Sequence, residues 1–277
     1  MPFCDLHTHS VYSDGTLTPA ELVAEAKKTG LSAIALTDHN TVAGLPEFVS
    51  AAENSGVMAV PGVEFSTDYG NTELHILALF VRPEQYAPIT SLLEEAAQRK
   101  EASNRRLANA LRNAGYFLDY DAIKANTPRG QVNRAHFAAE LTRLGYTRTR
   151  QEAFETLLSP KCGFYVPPAR IGSLEAIGFI KSLGAVSVLA HPFLSLDEKA
   201  LREFLPMAVT AGLDAMETAY SQYSPETTAL AESIAAEYGL KCSGGSDFHG
   251  ANKPQIPLGA PRIPIEWLEQ LQKNPSR

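Results

Sequence analysis

The sequence predicts an α/β fold, either a barrel or an open parallel sheet, that is interrupted by a helical insertion. Seven short apolar runs have the character of strands, and helical patterns alternate with several of them. Most of these runs are continuous rather than alternating, which is typical of parallel strands buried on both faces. Such strand–helix alternation favours an α/β barrel or an open parallel sheet. The predicted strands cover residues 2–9, 32–39, 58–65, 73–80, 185–192, 214–219 and 240–247.

The helix predicted after the first strand has the clearest signals at its two ends. Thr18 can cap it, Pro19 suits the first helical position, and Glu21 completes a capping box with Thr18. Gly30 follows at the point where a left-handed residue commonly ends a helix. Further helices are predicted over residues 45–54, 173–183, 198–211 and 225–238, and from residue 265 onward.

The middle of the chain, from about residue 82 to residue 168, shows no convincing strand pattern. Helices are predicted there over residues 89–113, 132–144 and 149–158, and a group of prolines marks the return to the strands. We therefore expect a barrel formed by residues 1–81 and 169–277. Residues 82–168 are expected to form a helical insertion that caps the functional site and supplies basic contacts to a ligand.

The charge of the chain is unevenly distributed. Its 277 residues include 24 Lys+Arg and 31 Asp+Glu, a formal net charge of −7, which argues against general binding of duplex DNA. The segment from Arg99 to Arg150 nevertheless holds 11 basic and 4 acidic residues, whereas the rest of the chain holds 13 and 27. This block predicts a specific anionic ligand, unless it is simply a solvated basic helix face.

Several classes of protein are excluded or disfavoured. No apolar run approaches the roughly 20 residues that span a membrane, and the first residues lack the pattern of a signal peptide. The three cysteines, Cys4, Cys162 and Cys242, are too few and too widely spaced for a disulfide framework or a zinc finger. We expect a cytoplasmic protein without membrane contact, and no protein partner is predicted.

Imidazoles and carboxylates recur at the ends of the predicted strands. Six of the seven histidines lie at or beside such ends, and a hairpin of the third and fourth strands would bring Glu64 and His75 together. Because the carboxyl ends of parallel barrel strands open on one face, we expect these groups to converge. Each alone could be an ordinary hydrogen-bonded residue, but nine together require divalent cations. The candidate metal ligands are His7, His9, Asp14, His39, Glu64, His75, His191, Asp247 and His249.

The number and type of these ligands predict the metals. Nine ligands with one bridging carboxylate are enough for three cations, each with three to four protein groups. Nitrogen and oxygen donors without thiolate favour Mn²⁺, our first choice, with Fe²⁺ or Zn²⁺ as alternatives. Cys4 and Cys242 lie inside predicted strands and are interpreted as core residues.

Six short motifs surround the candidate ligands. They are Asp5-Leu6-His7-Thr8-His9-Ser10 with Ser13-Asp14-Gly15, Thr37-Asp38-His39, Pro61-Gly62-Val63-Glu64, Glu73-Leu74-His75-Ile76, Ala190-His191-Pro192 and Gly245-Ser246-Asp247-Phe248-His249. In order and spacing they resemble the motifs of the PHP (polymerase and histidinol phosphatase) family over almost the whole chain except the insertion. The resemblance implies a distorted (β/α)7 barrel with a trinuclear metal site.

The resemblance also implies how the ligands are shared and which branch is most similar. It assigns one metal to His7, His9, Glu64 and Asp247, a second to Glu64, His75 and His191, and a third to Asp14, His39 and His249. The branch with the greatest likeness contains 3′,5′-nucleoside bisphosphate phosphatases and 5′–3′ exoribonucleases. Its helical insertion carries runs similar to Ser103-Asn104-Arg105-Arg106 and Asn133-Arg134.

The metals and the basic insertion favour a phosphoester hydrolase in which paired cations activate water, so that no side chain serves as nucleophile. A nucleoside 3′,5′-bisphosphate would place one phosphate on metal and the other on arginine. The expected reaction is removal of the 3′-phosphate, as from adenosine 3′,5′-bisphosphate to AMP, with 5′–3′ hydrolysis of short oligoribonucleotides as a further activity. The predicted substrate contacts are Ser103, Asn104, Arg105 and Arg134.

Three alternatives remain open at this point. They are a histidinol phosphate phosphatase or another small-molecule phosphatase, a non-catalytic PHP module, and a metal-dependent amide hydrolase. The basic insertion argues against an amine substrate, and the complete set of nine ligands argues against a non-catalytic module. Glu64 at the bridging position argues against an amide hydrolase, where a carbamylated lysine commonly bridges.

Overall fold

A computed structural model describes residues 2–127 and 132–273 of the chain. The chain divides into two compact units. The first is formed by the segments up to Thr90 and from Arg170 onward, and the second by Ser91–Ala169. None of the described helices is both long and apolar enough to cross a lipid bilayer.

The first unit is built on a curved sheet in which one strand runs against its neighbours. The described strands are β1 (Phe3–Asp5), β2 (Ala33–Leu36), β3 (Met58–Tyr69), β4 (Thr72–Leu79), β5 (Ile171–Gly172), β6 (Val186–Ala190), β7 (Ala215–Tyr220), β8 (Lys241–Gly245) and β9 (Ile263–Pro264). Seven of them follow the order β8-β7-β6-β4-β3-β2-β1. Strand β4 is antiparallel to β3 and β6, and the other neighbouring pairs on this path are parallel.

Backbone hydrogen bonds between the ends of β1 and β8 join the two edges of this sheet. The N–H of Leu6 donates to the carbonyl of Gly244 at 3.2 Å, and the N–H of Asp247 donates to the carbonyl of His7 at 2.9 Å. The result is a nearly closed, seven-stranded barrel, and the predicted α/β barrel fold is confirmed. The sequence pattern does not predict β5 and β9, which are two residues long and pair with β3 and β1.

Ten α-helices accompany the strands in the described residues. They are α1 (Pro19–Thr29), α2 (Leu45–Ala52), α3 (Tyr86–Asn113), α4 (Tyr120–Ala125), α5 (Arg134–Arg143), α6 (Arg150–Ala153), α7 (Ser173–Ser182), α8 (Glu198–Ala211), α9 (Pro225–Glu237) and α10 (Ile265–Gln272). The predicted capping box of α1 is present, since the Thr18 hydroxyl accepts from the Glu21 N–H and the Glu21 carboxylate accepts from the Thr18 N–H. Gly30 ends α1 with a φ of 80°.

The interior of the barrel is filled with apolar side chains. Leu77 and Leu79 of β4 pack with Val186 and Val188 of β6, and all four are completely buried. Burial of an aliphatic side chain of this size contributes about 1.5–3 kcal/mol to folding. This part of the barrel is therefore a packed apolar core.

The second unit has its own core of helices. Phe137 and Leu141 of α5 are completely buried with Leu107 and Leu111 of α3. The short helix α4 also belongs to this unit and is not predicted by the sequence pattern. Helix α6 continues into one π-helical turn, Phe154–Leu158, where a single α-helix is predicted.

Candidate metal centre

All nine predicted metal ligands lie in the first unit, near one end of the barrel. His7 and His9 follow β1, Asp14 lies in the next loop, His39 follows β2, Glu64 and His75 lie in β3 and β4, His191 follows β6, and Asp247 and His249 follow β8. Three groups of them place their donor atoms within 4.8 Å of one another. These groups are His7, His9 and Glu64; His39, Glu64 and His75; and His9, Asp14, His39 and His249.

Glu64 is the centre of this cluster and is completely buried. Five imidazoles surround its carboxylate, those of His7, His9, His39, His75 and His191. Its Oε1 lies 2.7 Å from Nδ1 of His75, and its Oε2 lies 2.9 Å from Nδ1 of His39. Because the two oxygens face different histidines, the carboxylate is oriented as a bridging ligand would be.

Two further carboxylates extend the cluster on the side of His9. Oδ1 of Asp247 lies 3.1 Å from Nε2 of His9. Oδ1 of Asp14 lies 3.2 Å from Nε2 of His249 and 3.8 Å from Nδ1 of His9. His9 therefore stands between the group around Glu64 and the group around Asp14.

The chemistry of the donor atoms fits divalent cations. Oε2 of Glu64 and Nδ1 of His39 are buried, and neither finds a hydrogen-bond partner of suitable geometry in the described part of the chain. A buried polar atom left without a partner costs about 1–3 kcal/mol. A cation between such atoms would remove this cost, and nitrogen and oxygen donors without thiolate suit Mn²⁺, Fe²⁺ or Zn²⁺.

The carboxylates and imidazoles strongly shift the pKa values of one another. Burial alone would lower the pKa of His9 and His75, but neighbouring carboxylates outweigh it and raise these pKa values to about 9 and about 10. At His39, burial prevails and lowers the pKa to about 4. The histidines around Glu64 outweigh its burial and hold its pKa well below the usual range. A cation that binds here must therefore displace protons from some histidines.

Two of the predicted ligands have backbone dihedral angles that residues other than glycine rarely adopt. The φ angles of His191 and Asp247 are 30° and 57°. Such conformations cost about 1–3 kcal/mol each and persist only when the surroundings impose them. The candidate site therefore includes strained backbone.

The loop that bears Asp14 is held by Asp38, a buried residue to which the sequence analysis gave no role. Its carboxylate accepts hydrogen bonds from the Ser10 N–H at 2.8 Å and from the Ser10 and Ser13 hydroxyls at 2.6 Å. In the same loop, a Cβ on Gly15 would lie 2.3 Å from the carbonyl oxygen of His9, so glycine is required there. The only sequence signal for Asp38 is its place beside His39 in a quoted motif.

Tyr220 and Lys253 also act on the cluster and were missed by sequence reasoning. The Tyr220 hydroxyl donates to Oδ2 of Asp247 at 2.8 Å, and Nζ of Lys253 lies 2.7 Å from the same oxygen. Oδ2 is thereby occupied, whereas Oδ1 faces the histidines. No local pattern marks either residue, because both reach Asp247 only through the fold.

Ser103 and Asn104, two of the predicted substrate contacts, lie on α3 within the second unit and are buried. The Ser103 hydroxyl donates to the carbonyl of Val166 at 2.5 Å, and the Asn104 amide donates to the carbonyl of Val132 at 2.8 Å. Both side chains thus support the internal structure of this unit. Their contact with substrate stays a prediction.

Arg105 and Arg134, the other two, also lie in the second unit. Nε of Arg105 lies 2.9 Å from a carboxylate oxygen of Glu101, so part of its charge is neutralised. The guanidinium of Arg134 stacks on Tyr165, 4.8 Å from the ring centroid, at the first residue of α5. The guanidinium is thereby held against an aromatic ring. A role of either arginine in phosphate binding stays a prediction.

Comparisons with known proteins agree on one family. Residues 5–159 match the model of the PHP domain. The chain is 34% identical over 282 residues to the "5'-3' exoribonuclease Rnm" of Escherichia coli (strain K12), covering 98% of this chain and 94% of that protein. It is 32% identical over 251 residues to the "3',5'-nucleoside bisphosphate phosphatase" of Chromobacterium violaceum, covering 88% and 86%.

A solved structure shares this fold over nearly the whole chain. A structure from Bifidobacterium adolescentis superimposes with a TM-score of 0.86 at 30% sequence identity, covering 98% of this chain and 95% of that one. That structure is of a "putative metal-dependent phosphoesterase". Sequence and fold therefore identify the same group of proteins.

Proposed function

This chain belongs to the PHP domain family, and from that premise we propose that it is a metal-dependent phosphoesterase that removes the 3′-phosphate of nucleoside 3′,5′-bisphosphates. Adenosine 3′,5′-bisphosphate would be converted to AMP. The similarity to the phosphatase of Chromobacterium violaceum supports the reaction. The observation that carries the proposal is the arrangement of five imidazoles around the buried carboxylate of Glu64.

The cofactors in this proposal are three divalent cations, with Mn²⁺ first and Fe²⁺ or Zn²⁺ as alternatives. The nine clustered residues would hold them, and Glu64 would be shared between two. Bound cations supply Lewis acidity that neutralises phosphate charge and activates water. The protein's own part is to hold the nine donors in place and to keep Asp247 and Asp14 aimed at the cluster through Tyr220, Lys253 and Asp38.

Arg134 is the proposed ligand of the phosphate that is not cleaved. A guanidinium is planar and presents paired donors, which suits a phosphate. Arg134 begins α5, so its charge lies near the positive end of a helix dipole. In the same segment, Arg99 to Arg150, basic residues outnumber acidic ones by 11 to 4. A small substrate with two phosphates explains this charge better than a substrate with one.

A second candidate activity is the 5′–3′ hydrolysis of short oligoribonucleotides. The similarity to the exoribonuclease of Escherichia coli over 98% of this chain favours it. Both reactions use a phosphoester beside a second phosphate, so one site can serve both. A polynucleotide would require a longer basic track, and therefore the bisphosphate is proposed as the main substrate.

The proposed setting is the cytoplasm, with a small nucleotide or short oligoribonucleotide as the ligand. The cysteines agree with a reducing compartment, since Cys4, Cys162 and Cys242 are all free.

A panel of nucleoside 2′-, 3′- and 5′-monophosphates and bisphosphates, assayed for phosphate release with Mn²⁺, tests the proposal. We expect the 3′,5′-bisphosphate to give the highest kcat/KM. Histidinol phosphate belongs in the same panel, because faster hydrolysis of this amine would favour the alternative phosphatase. Equal rates on all esters would contradict a site for a second phosphate.

A further inference from the structure

Glu217 is a completely buried carboxylate in β7 that belongs to none of the ligand sets considered above. A buried carboxylate is costly unless it is well hydrogen-bonded. Its Oε1 lies 3.0 Å from Nδ1 of His7, and its Oε2 accepts the backbone N–H of His191 at 2.7 Å. Glu217 therefore contacts two candidate metal ligands, through the ring of one and the main chain of the other.

The first contact selects which nitrogen of His7 is available to a metal. An ionised carboxylate only accepts hydrogen bonds, so Nδ1 of His7 must carry the proton that lies between them. In the neutral ring that a metal requires, Nε2 is then the nitrogen with the free lone pair. This atom lies 3.3 Å from Oε2 of Glu64 and 3.1 Å from Nε2 of His9, inside the cluster.

The second contact holds the main chain at His191. With a φ of 30°, this residue is in the left-handed region, where a side chain is strained. The hydrogen bond from its N–H to Glu217 spans from the end of β6 to β7. It opposes relaxation of the backbone and keeps Nε2 of His191 3.2 Å from Oε1 of Glu64.

We propose that Glu217 is a positioning residue of the metal centre, which fixes the ring tautomer of His7 and the main chain of His191 so that both present Nε2 to Glu64. This inference rests on the proposed function only in that the cluster binds metal. Partners of this kind, which hold a ligand through its second nitrogen, typically change metal affinity about 10- to 100-fold when they are removed. In this chain, the carboxylate of Glu217 would position both His7, which faces Oε2 of Glu64, and His191, which faces Oε1 of Glu64.

Glu217→Gln is the informative substitution, because it keeps the size of the side chain. An amide has one oxygen that accepts and one NH₂ group that donates, so it cannot accept from both His7 and His191. If the oxygen stays with His191, the NH₂ faces Nδ1 of His7. The ring then favours a proton on Nε2, which blocks the ligating atom.

Asp214→Asn is a matched control within the same pair of strands. Asp214 immediately precedes β7, and its carboxylate reaches across to β6. There it accepts hydrogen bonds from the N–H and the hydroxyl of Ser187 at 2.9 Å and 3.1 Å. Ser187 lies near the start of β6, whereas the metal cluster lies beyond its end. This substitution should therefore lower the thermal stability without changing metal binding.

The test measures Mn²⁺ affinity at fixed pH by competition with a chelating dye, together with the melting temperature without metal. We expect Mn²⁺ to bind Glu217→Gln about 10- to 100-fold more weakly than the wild type, and Asp214→Asn to match the wild type. Unchanged affinity in Glu217→Gln, or an equal loss in both variants, would overturn the proposal. The readout contains no phosphoester, so a wild type that binds Mn²⁺ but hydrolyses no bisphosphate would contradict the proposed function alone.

A second measurement does not require Glu217→Gln and serves if that variant does not fold. Nitrogen-15 NMR of labelled histidine in the metal-free protein reports which ring nitrogen carries a proton, with His7→Gln to assign the signal. At a pH where the ring is neutral, we expect the single ring proton of His7 on Nδ1. An Nδ1 without a proton would overturn the proposal, whether or not the protein binds Mn²⁺.

Discussion

Replacing Glu64 with glutamine removes one negative charge from the centre of the cluster while preserving the volume of the side chain. Glu64 is completely buried, and five imidazoles surround it. Burial excludes water as a substitute partner, so the loss is not screened as it would be at the surface. Removing one member of a buried charged pair typically costs about 3–5 kcal/mol.

In the proposed holoprotein, the Glu64 carboxylate and the bound cations form such a buried charged pair, so the cost would fall on metal binding. At 1.4 kcal/mol per tenfold change, a loss of about 3–5 kcal/mol weakens binding by roughly two to three and a half orders of magnitude. We expect Glu64→Gln to retain less metal after dialysis, as measured by elemental analysis, and to lose most of its kcat. Isothermal titration with Mn²⁺ would measure the change in affinity.

Asp68→Asn is the matched control. Asp68 lies in the same strand as Glu64, but it is partly exposed and paired with Arg170 at 3.0 Å. Contacts of this kind contribute about 0–1 kcal/mol, so Mn²⁺ should bind this variant no more than about tenfold more weakly. Full metal content and a normal kcat in Glu64→Gln would refute the assignment of Glu64 as the shared ligand.

Three further predictions address the substrate, the protons and the scaffold. Arg134→Ala should lower kcat/KM on a 3′,5′-bisphosphate ten- to hundredfold, a cost of about 1.5–3 kcal/mol, and should have a much smaller effect on a 3′-monophosphate. Arg134→Lys should recover only part of the lost kcat/KM. Equal losses on both substrates would place Arg134 at the reacting phosphate. Mn²⁺ affinity should rise from pH 7 towards pH 9. The pKa values of His9 and His75 are raised to about 9 and about 10, so a bound metal must displace protons, and these protons are easier to remove at higher pH. An affinity that does not change with pH in titration calorimetry would contradict this. Thr18→Ala should destabilise the protein by about 1 kcal/mol through loss of the α1 cap. A melting curve should show the lower stability, and a Mn²⁺ titration should show unchanged affinity. A change in Mn²⁺ affinity would mean that this helix end influences the site.

The barrel was predictable because its signals are local. Buried strands appear as continuous apolar runs, and the ends of α1 are marked by Thr18, Glu21 and Gly30. The convergence of most of the nine polar residues follows from one topological fact, that parallel strands end on the same side. Even the antiparallel β4 conforms, because the predicted hairpin brings His75 to Glu64.

The supporting residues could not be predicted in the same way. Glu217, Tyr220 and Lys253 act through contacts that form only when distant strands and loops meet. The strands β5 and β9 are too short to leave a periodic pattern. Within the second unit, a polar side chain such as Asn104 can serve the internal structure as well as a ligand, and the sequence does not separate the two roles.

The position of phosphate cleavage is the most direct test of the proposed 3′-phosphatase activity. Metal-stripped protein, reconstituted with Mn²⁺ or left without it, would be incubated with adenosine 3′,5′-bisphosphate, and the products identified by phosphorus-31 NMR. We predict that only the reconstituted protein reacts and that it yields AMP with inorganic phosphate. Formation of adenosine 3′-phosphate, or equal turnover without metal, would contradict the account.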